Sequence, residues 1–127
     1  MTRLLITGSR NASLRMLAVA VKAVQRAKEL GWEILVGDAS GIDSQVIETC
    51  DETGVPVTVY GAYNTLRVHS IQGKYVLVFG SYTDRDVKMA EECDKCYAIW
   101  NGESRGTKLT YKVASELHKE CWLFTDK

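Results

Sequence analysis

The sequence is poor in the groups that most often announce catalysis. It holds only two histidines, His69 and His118, and no Ser-His-Asp set emerges around them. His118 falls at a helix end, where its charge suits the C-terminal dipole, and His69 lies in an irregular stretch. Charge of one sign is also lacking. Lys and Arg together number 16, as do Asp and Glu, so no global field draws the protein onto nucleic acid or an anionic membrane. No apolar run reaches the ~18 to 20 residues of a membrane helix. Met1 to Gly8 turns polar too early for a secretory signal. The four cysteines are Cys50, Cys93, Cys96 and Cys121. They include one Cys-x-x-Cys pair, with no second pair and no nearby histidine, whereas structural zinc wants four ligands. They read as packing residues. The expectation is a cytoplasmic protein with no metal, no cofactor, no disulfides and neither membrane nor nucleic acid as a partner.

What is present alternates. Leu4 to Thr7, Ile34 to Val36, Val55 to Tyr60, Tyr97 to Trp100 and Cys121 to Phe124 are short apolar runs that read as buried strands. The only proline, Pro56, stands at the start of the third, where it is tolerated. Between the strands, Leu14, Leu17, Ala18, Val21 and Val24 repeat at helical spacing, and Gly31 closes that helix. Val46, Ile47 and Cys50 outline a second helix, stopped by Gly54. Val87, Ala90 and Cys93 give a third, with Thr83 or Asp84 as its cap. Leu109, Val113, Ala114 and Leu117 give a fourth. Gly61 to Gly73 reads as a long loop, and Tyr75 to Phe79 as an extra strand. Alternating strands and helices predict an α/β fold, a Rossmann-like three-layer sandwich. Its mostly parallel sheet has five strands plus the short extra one. At 127 residues the whole length, 1–127, fits one domain.

Such sheets bind ligands outside the carboxyl ends of their strands, where the winding direction changes. Three strand-to-helix loops fall there. Gly8-Ser9-Arg10 opens the first, with Asn11 or Ser13 to cap the helix and Arg10 able to grip an anion through two hydrogen bonds. The second runs from Gly37 through Gly41 to Asp43. Its glycines permit close backbone approach, and Asp43 either caps the helix or accepts from a ribose hydroxyl. The third is Gly102-Glu103-Ser104-Arg105-Gly106-Thr107. There Ser104, Thr107 and the amides of Gly106 and Thr107 form a plausible phosphate nest. Trp100, Tyr60, Tyr63 and Tyr82 are candidates to stack a base.

These loops, with Arg85-Asp86-Val87-Lys88-Met89 at a helix start, resemble those of the SLOG superfamily of Rossmann-like nucleotide binders, and most nearly its YspA-like branch. The LOG phosphoribohydrolases and the DNA-processing protein A group belong to the same superfamily. Ser104-Arg105-Gly106-Thr107 is the most specific piece. The match runs in order over most of the sequence, and 61–83 matches poorly. The resemblance implies a nucleotide-derived ligand, NAD and ADP-ribose among the candidates, lined by Arg10, Gly41, Asp43, Arg85, Ser104, Gly106 and Thr107. It also implies a homodimer. Asp86 stands where the branch has asparagine. Thr110 replaces the reactive glutamate of the hydrolases, and their double glycine is missing. Three readings follow: a binding or sensing module, an N-glycosidase or base-transferring enzyme using Asp43 or Asp86, and a bare scaffold. Cleavage of a base–ribose bond needs a carboxylate near the anomeric carbon, which is why those two aspartates are the catalytic candidates.

Overall fold

The computed structural model describes residues 1–126. In sequence order its elements are β1 (Arg3–Gly8), α1 (Leu14–Leu30), β2 (Glu33–Gly37), α2 (Ile42–Thr53), β3 (Val57–Gly61), β4 (Lys74–Leu77), α3 (Tyr82–Glu92), β5 (Lys95–Trp100), α4 (Arg105–Glu116) and β6 (Glu120–Thr125). All six strands form one sheet in the order β4-β3-β2-β1-β5-β6, and every pair is parallel. The extra strand is thus a full member of the sheet.

Parallel strands are covered on both faces, so their side chains alternate between two cores. From β1, Leu4 and Ile6 join Ile34, Val36 and Val59 under α1 and α2. Leu5 points the other way, with Leu35, beneath Met89, Ala90 and Ala114 of α3 and α4. Small residues at helical spacing, Ala20, Ala23 and Ala27, let α1 sit close to the sheet. The winding leaves β1 and β5 adjacent at the point where it changes direction. The loop after β1 feeds α1 on one face, and the loop after β5 feeds α4 on the other. A crevice opens between them.

Two local expectations change. The extra strand is Lys74–Leu77 rather than Tyr75 to Phe79. Beyond it the backbone leaves the ladder to bond a turn: Tyr63 donates to the Gly80 carbonyl and Asn64 to that of Val78. The cap of α3 is Ser81, not Thr83 or Asp84. Its hydroxyl accepts from the Asp84 amide while the Asp84 carboxylate accepts from the Ser81 amide, a reciprocal capping box. Starting at Tyr82, the helix turns Tyr82, Arg85, Asp86 and Met89 toward one side, the side of the crevice. Gly61 to Gly73 is irregular apart from the β3 end, as expected. None of the helices is long and apolar enough to cross a membrane among the described residues. The four cysteines are free. Burial pushes the Cys50 thiol up to about 12 and that of Cys93 to about 11, so both stay protonated and inert.

Candidate ligand-binding cleft

The crevice is a cleft of about 680 Å3 at the carboxyl ends of the strands. Its walls come from the loops after β1, β2 and β5, from the irregular segment before β4, and from the first turns of α3 and α4. Of the residues singled out in the sequence, Gly8, Arg10, Asp43, Arg85, Asp86, Ser104, Arg105, Gly106 and Thr107 line it. Ser9, Gly37 and Gly41 do not. Neither does Trp100, whose indole N–H donates instead to the Ser104 carbonyl at 2.9 Å and steadies the loop after β5.

Ser9 is fully buried and works as a strut. Its hydroxyl accepts from the Asn101 amide at 3.0 Å, its own amide donates to Ile99, and its carbonyl accepts from Ile42. Asn101 continues the brace. Its side chain donates to the Asn11 carbonyl and accepts from the amides of Glu103 and Ser104. Three loops are thereby fixed to one another before any ligand arrives.

The glycines of the first two loops answer to this packing. A side chain on Gly8 would collide with Ile42 at 2.4 Å. Gly41 has φ +78°, and a Cβ there would lie 2.3 Å from the Arg10 carbonyl oxygen. A Cβ on Gly37 would fall 2.8 Å from both Arg85 Nη1 and Asp43 Oδ2. At these glycines the protein's own groups, rather than a ligand, fill the space beside the backbone. Gly106 differs, because a Cβ there would meet only Asp86 Oδ2 at an ordinary 3.5 Å.

Gly106 belongs to the first turn of α4. Ser104 caps that helix, and its hydroxyl lies 3.1 Å from that of Thr107. The first intrahelical bond runs from the Lys108 amide to the Ser104 carbonyl. The amides of Arg105 and Gly106 precede it and face out of the helix end, as helix geometry requires. Free amides, a hydroxyl pair and the positive end of the helix dipole make an anion cradle. Arg10 and Arg105 line the same cleft and enter no ion pair among the described residues.

The opposite wall is a charge network. Asp38, 1% exposed, accepts at Oδ1 from Arg67 Nη2 (2.8 Å), Arg67 Nε (3.2 Å) and Arg85 Nη1 (2.9 Å), and at Oδ2 from the Arg67 amide (2.8 Å). Arg85 also donates to the Tyr60 carbonyl and, through Nε, to Asp86 at 2.8 Å. Burial pushes the Asp38 carboxyl up, but the Arg67 hydrogen bonds and the two guanidinium charges outweigh it and hold the group below the usual carboxylate range. Asp86 comes out raised, because burial outweighs the pull of Arg85 and Thr110.

Asp43 is different again. It is 6% exposed and lies in the first turn of α2, with Gly41 rather than its own side chain at the cap position. One oxygen accepts from the Ala39 amide at 3.1 Å, and the carboxyl forms no ion pair among the described residues. Burial pushes it up to about 7; the Arg85 charge and the Ala39 amide pull against this, and the Asp86 and Asp38 charges add to it. It is a neutral or half-neutral acid aimed at the cleft. No group of three or more His, Cys, Asp or Glu is placed to hold a metal among the described residues.

Sequence reasoning missed Arg67 and Asp38 as parts of this wall. Arg67 sits in an aperiodic segment that offers no pattern to read. Asp38 carried a usable signal, since an acid one residue beyond a buried strand needs a cationic partner.

A three-layer α/β fold with a pre-braced, anion-cradling cleft at its switch point defines a small-molecule-binding Rossmann-like protein. No protein-family model and no curated protein matches the sequence. Solved structures do match the fold. The protein is similar to the molybdenum cofactor binding protein from Rippkaea orientalis, with TM-score 0.87 and 16% identity over 99% of this protein and 77% of that one. It is similar to the molybdenum cofactor carrier protein from Chlamydomonas reinhardtii, with TM-score 0.83 and 18% identity over 98% and 78%. It is also similar to DNA processing protein A from Streptococcus pneumoniae, with TM-score 0.81 and 15% identity over all of this protein and 51% of that one. These neighbours are SLOG-superfamily proteins, and the protein shares their fold.

Proposed function

We propose that the protein is a binding module for a phosphate-bearing nucleotide or nucleotide derivative, held across the strand ends. The observation that carries this reading is the convergence, in one cleft, of the α4 cradle, two unpaired arginines and the buried Asp43. The phosphate belongs on Ser104, Gly106 and Thr107, with Arg10 and Arg105 as its countercharges. A volume of about 680 Å3 suits a nucleotide-sized ligand. Two neighbours described as binding or carrying the molybdenum cofactor are precedents for this fold holding a small molecule. A neighbour described by its binding of single-stranded DNA is the contrasting precedent. The balanced formal charge and the pairing of Arg67 and Arg85 with Asp38 and Asp86 favour one or two phosphates over a strand.

A second reading has its own support. An acid held near 7, as Asp43 is, can protonate a departing base. That would make the module an N-glycosidase or base-transferring enzyme, with Asp43 as acid and Asp86 as the carboxylate beside it.

The test is a thermal-shift panel of nucleoside monophosphates, NAD, ADP-ribose and cyclic derivatives, with each mixture assayed for free base. A shift with intact ligand supports the module. Free base that disappears in Asp43→Asn or Asp86→Asn supports the enzyme. No shift for any compound overturns both. Gly106→Asp is the control for the cradle: an acid in a first helical turn is tolerated, but it should weaken binding of any anionic ligand by about tenfold or more.

A further inference from the structure

We infer that Arg67 and Tyr82 form the ring-binding end of this cleft, a stacking subsite that selects ligands carrying a planar aromatic base over plain sugar phosphates. The inference rests on the reading of the cleft as a site for a phosphate-bearing ligand, and it says where the rest of that ligand lies. Arg67 projects from the irregular segment between β3 and β4 and is held by Asp38 at three points: its amide, Nε and Nη2. Three anchors on one carboxylate fix the plane of the guanidinium. Its carbon lies 4.2 Å from the centroid of the Tyr82 ring, so one face is covered by an aromatic partner. Tyr82 is held in turn: the Tyr63 ring packs edge-on against it at 5.3 Å and 87°, and Arg85 lies 5.2 Å from its centroid.

Arg67 and Tyr82 both line the cleft, and the Arg67 side chain keeps 35% of its surface exposed. Its Nη1 has no partner among the described residues. The result is a flat, oriented cation, partly stripped of water, with a free donor edge toward the ligand space. A staple that only tied the loop to β2 would need the Asp38 contacts but neither the tyrosine beneath nor the position on the cleft wall. Purine and pyrimidine rings offer an electron-rich face to a guanidinium and an acceptor to its free edge. With the phosphate on α4, the base would rest against the Arg67–Tyr82 pair, and Asp43 would lie between them at the sugar.

Binding of the four nucleoside 5′-monophosphates and of ribose 5-phosphate would be measured by calorimetry on wild type, Arg67→Lys and Tyr82→Leu. Lysine keeps the charge opposite Asp38 but loses the plane, and leucine keeps bulk but loses the ring. At least one mononucleotide is expected to bind about tenfold or more tighter than ribose 5-phosphate, the scale of one stacked base. That advantage should fall to within about threefold in both variants, with ribose 5-phosphate affinity unchanged. Equal binding of ribose 5-phosphate and every mononucleotide overturns the subsite but leaves the phosphate site standing. A base preference that survives both substitutions also overturns it, as does an equal loss for every probe, which marks a purely structural role. If no probe binds, the reading of the cleft falls and the subsite with it. Should Arg67→Lys fail to fold, Tyr82→Leu decides alone, because Tyr82 carries none of the Asp38 hydrogen bonds.

Discussion

At the scale of single residues, Asp38 and Asp43 lie at the same strand end and have opposite fates. Asp38 is encircled by donors and stays ionised; Asp43 has one amide and no ion pair. A carboxyl whose folded pKa stands near 7, against an ordinary value near 4, binds its proton more tightly folded than unfolded. Over that interval the folded state therefore holds more protons, and stability falls as pH rises from about 4 to about 7 before levelling off. Asp43→Asn keeps the acceptor for Ala39 without the charge. Its stability relative to wild type should grow through the same window, nearly level at pH 4 and ahead by on the order of 2 kcal/mol at pH 8. Urea denaturation of both proteins at four or five pH values checks this; a gap that stays constant with pH would place the Asp43 proton elsewhere. Asp38 gives the opposite sign, since its stabilisation is present at neutral pH and is lost as pH falls through its depressed pKa. Asp38→Ala strands the buried Arg85 and the partly buried Arg67 guanidinium. The expected cost is about 3 kcal/mol or more at pH 7, read from the same denaturation curves.

At the scale of elements, α3 organises the network wall because of where it starts. The Ser81 hydroxyl and the Asp84 carboxylate close its first turn, and that register faces Tyr82, Arg85, Asp86 and Met89 to the cleft. Ser81→Ala should cost about 1 kcal/mol of stability. Because fraying would begin at Tyr82, hydrogen exchange of the Arg85 and Asp86 amides should quicken more than that of α4. The pattern Ser81-Tyr82-Thr83-Asp84 has the spacing of a capping box. The helix was legible in Val87, Ala90 and Cys93, but its exact start was not, because Thr83 and Asp84 also suit a cap. Strands buried on both faces and helices of strict period could be read directly. So could the three loops at the strand ends, which follow from alternation alone. The work of the glycines could not be read that way. Gly8, Gly37 and Gly41 are small because Ile42, Arg85, Asp43 and the Arg10 carbonyl lie against them, and those are contacts between loops distant in sequence. Arg67 was hidden for a related reason: its partners Asp38 and Tyr82 are brought to it only by the closed sheet.

At the scale of the whole molecule, the cleft draws its walls from both windings of the sheet. The loops after β1 and β2 lead to helices on one face, and the first turns of α3 and α4 belong to the other. A ligand running from the α4 cradle to Asp43 and Arg67 would bridge the two layers, and its binding free energy would add to the stability of the entire fold. At a concentration 100-fold above its dissociation constant, such a ligand adds about 2.7 kcal/mol. For a domain of this length the unfolding entropy converts that into a rise in melting temperature of roughly 10 °C. The balanced formal charge removes long-range steering, so added salt acts through the local pair Arg10 and Arg105. Raising ionic strength from 0.05 to 0.5 M shortens screening from about 14 to about 4 Å, and the affinity should fall by about tenfold or less. A loss of several orders of magnitude would mean that many phosphates are being neutralised at once. The occupant would then be a nucleic acid strand, and the nucleotide reading would give way to it.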